Sequence, residues 1–214
     1  LLGASPTLAR RQFLQSAAIA GAGLATMAPW QAQAFAKAGD PWQQADAIIK
    51  RVRHPVKFPK KDFPITSFGA KPCETTEIKA WVSFVEKATM QTPVKGSHDC
   101  YPAITAAIQA CNKAGGGRVT IPKGNWYCAG PIVLLSNVNV HLQAGAHVYF
   151  SNNPDDYAKY GAFDCGANGK LSITRWEGND CLNFSSLVYA YGQNNIALTG
   201  EDWTSVLDGQ AGVD

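Results

Sequence analysis

The run GGGRVTIPKGNWYCAGPIVLLSNVNVHLQAGAHVYFS, from Gly115 to Ser151, limits the fold more than any other part of the chain. Apolar and β-branched residues come in short bursts, each closed by Gly, Pro or Asn. No burst reaches the roughly 8–20 residues of an ordinary helix. Read as strands, they are too short to bury a face unaided. The pattern also recurs. Asn137 and Asn195 each open a unit with apolar residues one and three places on (Val138 and Val140; Ile196 and Leu198) and a valine eleven places on (Val148, Val206). Repetition of so short a unit is the mark of a solenoid, in which each turn of chain covers its neighbour. Alternation then predicts that Val138, Val140 and Leu142 point inward, joined by Ile196 and Leu198 from the next unit, with Asn139 and His141 outward. A β-sandwich, which also uses short strands, is the competing reading.

The N-terminus has a different character. Arg10 and Arg11 precede Phe13 and Leu14, then a mild apolar run from Ala17 to Ala28, then the small-residue pattern Ala32-Gln33-Ala34. Residues 1–34 therefore read as an export signal. The paired arginines followed by Phe-Leu resemble the bacterial twin-arginine signal, and the weakly hydrophobic Ala/Gly core favours that route over ordinary secretion. The expected partner is the twin-arginine machinery, engaged through Arg10 and Arg11, and the expected location is periplasmic or extracellular. An apolar run of about a dozen residues falls short of the roughly 20 that cross a bilayer, so no stable membrane anchor is expected. The chain starts at Leu1 and ends at Asp214 just after a strand-like pattern, and so reads as a fragment.

Of 214 residues, 46% are hydrophobic, enough for one domain with a real core. A net charge of +3 with no dense basic face argues against nucleic acid as a partner. The one basic cluster, Arg51 to Lys61, is broken by Pro55 and Pro59 and reads as a linker. Ahead of it, DPWQQADAIIKRV reads as a short helix capped by Asp40, with Pro41 at its first position and Ala45, Ile48, Ile49 and Val52 on one face. Residues 35–62 are thus a short helix and linker. FPITSFGAKP reads as a strand and turn. In EIKAWVSFVEKAT, the spacing of Ile78, Val82 and Val85 with Trp81 predicts a helix. A second helix is predicted over DCYPAITAAIQACNK, capped by Asp99 and stopped by Gly115, with Tyr101, Ile104, Ile108 and Cys111 on one face. Residues 152–185 read as a long loop. The six cysteines form no CxxC pair, and their spacing from histidine does not suit zinc. Free buried thiols and one or two late disulfides both remain open.

The motifs now on view resemble one family. FPITSFGAK, GGGRVTIPKGNWYCAGPIVLLSNVNVHLQAGAHVYFSNNPDDY, TRWEG, LVYAYGQNNIALTG and LDGQ together are similar to the N-terminal portion of glycoside hydrolase family 28, the polygalacturonases and their pectin-degrading relatives. The likeness covers Phe63 to Gln210. It implies an all-β chain, a right-handed parallel β-helix over 63–214 with the helix from Asp99 to Ala114 capping its N-terminal end. Two segments depart from the family pattern by being longer: Glu74 to His98 and Lys159 to Ile173.

The resemblance also implies hydrolysis of α-1,4-galacturonan with inversion, in which one carboxylic acid protonates the leaving oxygen and carboxylates about 6.5–9.5 Å away activate water. The family places these aspartates in an Asn-Thr-Asp and a following Asp-Asp motif, with Gly-His-Gly and Arg-Ile-Lys motifs beside them. This chain holds none of the four in a matching context, so the catalytic residues are expected beyond Asp214. Asp155-Asp156 matches a turn of the family, not its catalytic pair, and reads as structural. His141 and His147 read as bonded side chains on outward strand positions, and Asp208-Gly209 as a turn. The residues expected to bind substrate are Arg175, suited to a uronate carboxylate, Trp176, suited to the face of a sugar ring, and Glu177 beside them. No metal or cofactor is implied. A pectate lyase-like β-helix using Ca²⁺ and a basic residue, or a non-catalytic β-helix that binds polysaccharide, are the alternative readings.

Overall fold

The computed structural model describes residues 40–52, 56–83 and 86–212. The export segment, with Arg10, Arg11 and the pattern ending at Ala34, lies outside the described residues. The chain forms two units, Leu1–Pro55 and Val56–Asp214. In the first, helix α1 spans Pro41–Val52, and Asp40 caps it by accepting the Trp42 amide at 3.0 Å. The apolar positions Ile48, Ile49 and Val52 are exposed. Among the described residues no helix is long and apolar enough to cross a membrane.

The second unit opens with strand β1 (Asp62–Pro64) and a 3-10 turn ending at Gly69 in the left-handed region. Strands β2 (Thr75–Ser83) and β3 (Glu86–Pro93) then pair antiparallel. The predicted helix over this segment is therefore wrong. Ile78 and Val82 are four residues apart, a spacing that serves a helix and a strand alike. The segment is rich in β-branched residues, which a pleated strand accommodates better. Ala80 is buried and pairs with Ala88, while Glu77, Lys79 and Trp81 alternate outward.

Helix α2 (Tyr101–Lys113) buries Ala103, Ile104, Ala107, Ile108 and Cys111. Its boundary residue is Cys100, one place later than predicted. Asp99 still satisfies the helix start: its Oδ1 accepts the amides of Tyr101 and of Ala129, each at 2.9 Å. Beyond the helix come β4 (Gly117–Ile121), β5 (Gly124–Cys128), β6 (Ile132–Val133), β7 (Val138–Leu142), β8 (Ala146–Phe150), β9 (Phe163–Asp164), β10 (Lys170–Trp176), β11 (Asn179–Asn183), β12 (Val188–Tyr189), β13 (Ala197–Gly200) and β14 (Val206–Asp208).

Three parallel sheets organise these strands, in the orders β1-β4-β7-β13, β5-β8-β14 and β6-β12. Neighbours in each sheet are one full circuit of chain apart. That is a stack of coils and not a sandwich, whose sheets are antiparallel. Val119, Val140 and Leu198 lie in one register row. Val119, Val138, Val140 and Val148 have no exposed surface, and Leu142 has 3%. Ile196 packs against this core. Leu198 follows the same row, yet is 39% exposed, because among the described residues no strand covers it.

The corners explain the repeat. Asn137 and Asn195 both have positive φ, 64° and 56°, a conformation asparagine tolerates. Asn195 Nδ2 donates to Asn137 Oδ1 at 2.9 Å, so the two signature residues stack. The valine match is displaced by one: Val206 pairs with His147, and Leu207 stacks on Val148. The upper turn carries one more residue than the lower one. At the triple glycine, a Cβ on Gly116 would stand 2.5 Å from the Asn137 carbonyl and one on Gly117 2.6 Å from that of Lys61. Only glycine admits such close backbone approach.

Asn139 and His141 face outward as predicted, but His141 is covered by the next coil. Its Nδ1 bonds Thr199 Oγ1 at 2.8 Å, and the Thr199 hydroxyl donates to Asn139 Oδ1 at 3.0 Å.

Replacing Val140 by Asp puts an unpaired carboxylate where no water reaches, and should abolish cooperative unfolding. Leu198→Asp, in the same row but exposed, should keep a two-state melt with a lower midpoint. Circular dichroism melts of both variants check this. Equal effects would contradict the stacked arrangement.

Candidate functional site

The segment read as a long loop contains a ribbon. Strand β10 pairs with β9 on one side and β11 on the other, both antiparallel. The β10–β11 connection is two residues, Glu177 and Gly178, with φ of 49° and 86°. Positive φ at both is the two-residue turn whose twist matches that of the flanking strands. Glu177 is thus fixed at the tip by turn geometry.

The ribbon separates the predicted binding residues. Trp176, Thr174 and Ser172 pair with Asn179, Cys181 and Asn183; Arg175 and Ile173 pair with Asp180 and Leu182. Alternate residues of a strand face opposite ways, so Trp176 and Arg175 lie on opposite faces. Arg175 Nε meets Asp180 Oδ1 at 2.9 Å, with both side chains 69% exposed. Trp176 is 68% exposed and lines a hollow of about 390 Å³ with Asn179, Cys181 and Asn183. On one face there is an aromatic plane beside two carboxamides, with no charged group among the lining residues. On the other there is a cation already holding a carboxylate. The sequence reading missed Asn179 and Asn183. The signal was there: a two-residue Glu-Gly turn between alternating segments.

The remaining polar candidates are bonded into turns or coils. Asn153 Oδ1 accepts the Asp155 amide at 3.1 Å. Asp156 accepts Ser151 Oγ at 2.5 Å and Lys159 Nζ at 2.6 Å. Burial pushes the Asp156 carboxyl up, but the bonds from Lys159 and Ser151 outweigh it and hold the group below its ordinary 3.8. His147 Nε2 lies 3.3 Å from Asp208 Oδ2 and its ring stacks on Tyr149. Asp208 Oδ1 accepts the Gln210 amide at 2.8 Å, which closes the last turn. All six cysteines are thiols. Burial raises Cys100 and Cys111 to about 11, and raises Cys128 further.

No family model and no curated protein matches the chain. In structure it is similar to a hyperthermoactive exopolygalacturonase from Thermotoga maritima, with a TM-score of 0.54 and 28% identity over 74% of this chain. It is also similar to a family 28 exopolygalacturonase from Yersinia enterocolitica, with a TM-score of 0.42 and 25% identity over 66% of this chain. The chain spans 27% of the first protein's length and 20% of the second's. The first likeness shows the fold: a mostly β architecture of parallel sheets, like that of a glycoside hydrolase.

Two outcomes follow for these groups. Arg175→Ala should change unfolding free energy by less than about 1 kcal/mol, since exposed ion pairs contribute little; urea titration measures it. Asp156 has a depressed folded-state pKa, so its contribution is present above the ordinary value of 3.8 and lost as pH falls through the lower folded one. Asp156→Asn should therefore reduce the loss of stability over that acid interval. Urea midpoints followed against pH would show no such change if the two bonds to Asp156 were absent.

Proposed function

We propose that the chain is the N-terminal part of an exported pectin-degrading glycoside hydrolase of the polygalacturonase type, acting on α-1,4-galacturonan with inversion. The observation that carries this is the likeness to the Thermotoga maritima exopolygalacturonase, 28% identical over 74% of this chain. The resemblance of Phe63 to Gln210 to family 28 supports it independently of structure. On this reading the stack is a right-handed β-helix, with α2 covering its N-terminal end. Hydrolysis needs one carboxyl to protonate the leaving oxygen and others to activate water. Asp155 and Asp156 sit in a turn: the Asp155 amide is bonded to Asn153, and the Asp156 carboxylate is held by Ser151 and Lys159, so neither is assigned the reacting role. The reacting carboxylates are assigned to sequence beyond Asp214, for which a chain spanning 27% of its structural relative leaves room.

The ribbon supplies the polymer contacts. Trp176 offers its exposed face to a sugar ring. Arg175 takes a uronate carboxylate by exchanging Asp180 for it, a small cost where both partners are 69% exposed. Glu177 stands beside them at the turn, within reach of the same polymer only on this reading. Residues 1–34 direct export through Arg10 and Arg11, with removal near Ala34, to the periplasm or beyond.

Reducing-sugar release from polygalacturonate, with chelator present, tests the activity. A longer protein from the same gene should cleave it, and the 214-residue chain should not. Turnover by the shorter chain would mean the catalytic residues lie within it. Calcium-dependent release of unsaturated products by the longer one would make the protein a lyase. Replacing Arg10 and Arg11 together by lysine should block export, followed as precursor accumulation in the cytoplasm; export at the unaltered rate would refute the twin-arginine route.

A further inference from the structure

The two segments that are longer than the family pattern, 74–98 and 159–173, contribute to one run of hollows. A hollow of about 360 Å³ lies between residues 92–97 of the first segment and Tyr127 and Phe150 of the coils. A second, of about 520 Å³, shares Ser151, Asn152 and Gln210 with it and extends to Phe184. A third, of about 500 Å³, shares Phe184 and is walled by Asn168, Gly169 and Leu171 of the second segment. The β2–β3 hairpin is held in place there: the Trp81 amide donates to the Gly212 carbonyl at 3.3 Å, and Gln210 Nε2 to the Gln91 carbonyl at 3.2 Å.

The lining chemistry is uncharged. Among all residues lining these hollows, only Lys95 and Asp155 carry charge, and their signs cancel. The rest offers hydroxyls and carboxamides, among them Ser151, Ser185 and Asn168, beside the rings of Phe184 and Tyr157. Gln210, 3% exposed at the junction of the first two hollows, is held there by its bond to the Gln91 carbonyl. De-esterified galacturonan has a carboxylate on every residue and needs cations along its path. A sugar without charge needs donors, acceptors and flat apolar faces for its C–H side, which is this inventory. We propose that this groove binds an uncharged glycan chain, of neutral hexosyl or methyl-esterified uronosyl residues. Arg175 is not among the lining residues, and binding in the groove does not require the hydrolase reading; only the esterified form of the ligand rests on it.

The test is calorimetric titration of the 214-residue protein with three probes: a neutral galactan oligosaccharide, a fully methyl-esterified oligogalacturonate and a de-esterified one. At least one uncharged probe should bind, and which one names the source. Its affinity should hold within about twofold from about 0.05 to about 0.5 M salt, because no charge is screened. Phe184→Ala should weaken it roughly three- to tenfold, as for loss of one aromatic contact. Ser186→Trp, at an exposed position lining the second hollow, should abolish it, and Lys113→Ala, exposed at the end of α2 and outside the hollows, should leave it unchanged. Failure of both uncharged probes to bind, binding of the de-esterified probe alone, or unaltered affinity in a folded Ser186→Trp protein would overturn the proposal. None of these results bears on whether the longer protein cleaves polygalacturonate, so the two readings fail separately.

Discussion

Everything in the second unit depends on parallel strands lying in register one circuit apart. A strand such as β7 has five residues, too few to hold its conformation alone. It persists because its backbone bonds to β4 on one side and β13 on the other, while Val138 and Val140 are enclosed by the same neighbours. Pairing and burial are one interaction here. A shift of register by one residue would turn every inner valine out and every outer polar residue in, so the hydrophobic pattern fixes the pairing strongly. Position along the outer face then becomes a consequence: Arg118 meets Asp62 at 2.7 Å, and His141 meets Thr199, because their inner neighbours are already stacked.

With strands so fixed, the turns between them are free to vary in length, and this chain uses that freedom unevenly. The turn between β13 and β14 absorbs one extra residue without disturbing either sheet. The connection between β8 and β12 absorbs a whole ribbon, and the connection between β1 and α2 a hairpin. Neither insertion adds to the stacked core, whose buried members come almost wholly from the coils and α2. What the insertions add is surface of a particular chemistry beside a rigid support, which is where binding residues are most useful.

How much of this was legible in the sequence follows from where the forces are local. Asn137 and Asn195 were readable because the left-handed corner restricts residue type, and the inward valines because alternation is enforced by total burial. Asp40 and Asp99 were readable as caps, the second displaced by one, because capping involves only neighbouring backbone. The hairpin of β2 and β3 was not: its apolar residues are few, Ile78 and Val82 fit both periods, and its placement depends on contacts with Gln210 and Gly212, more than a hundred residues away. At the site, residue types pointed to Arg175, Trp176 and Glu177, but their separation onto two faces and a turn is a property of strand pairing. Asn179 and Asn183 became visible only once that pairing was known. The off-by-one match of Val206 has the same origin, since turn length cannot be counted until both strands are placed.

The cysteines bear on when such a fold can form. Cys100, Cys111 and Cys128 belong to the core, and burial raises all three thiols, so each is protonated at neutral pH and packs as a small apolar side chain. A thiol in that state is a poor nucleophile and a poor partner for disulfide exchange. These three thiols therefore serve the stack by packing. Its cohesion comes from burial and backbone pairing, both available in reducing surroundings. Cohesion of that kind is compatible with the order of events that the proposed twin-arginine route requires, in which folding precedes export. A fold needing early disulfides would have to reverse that order.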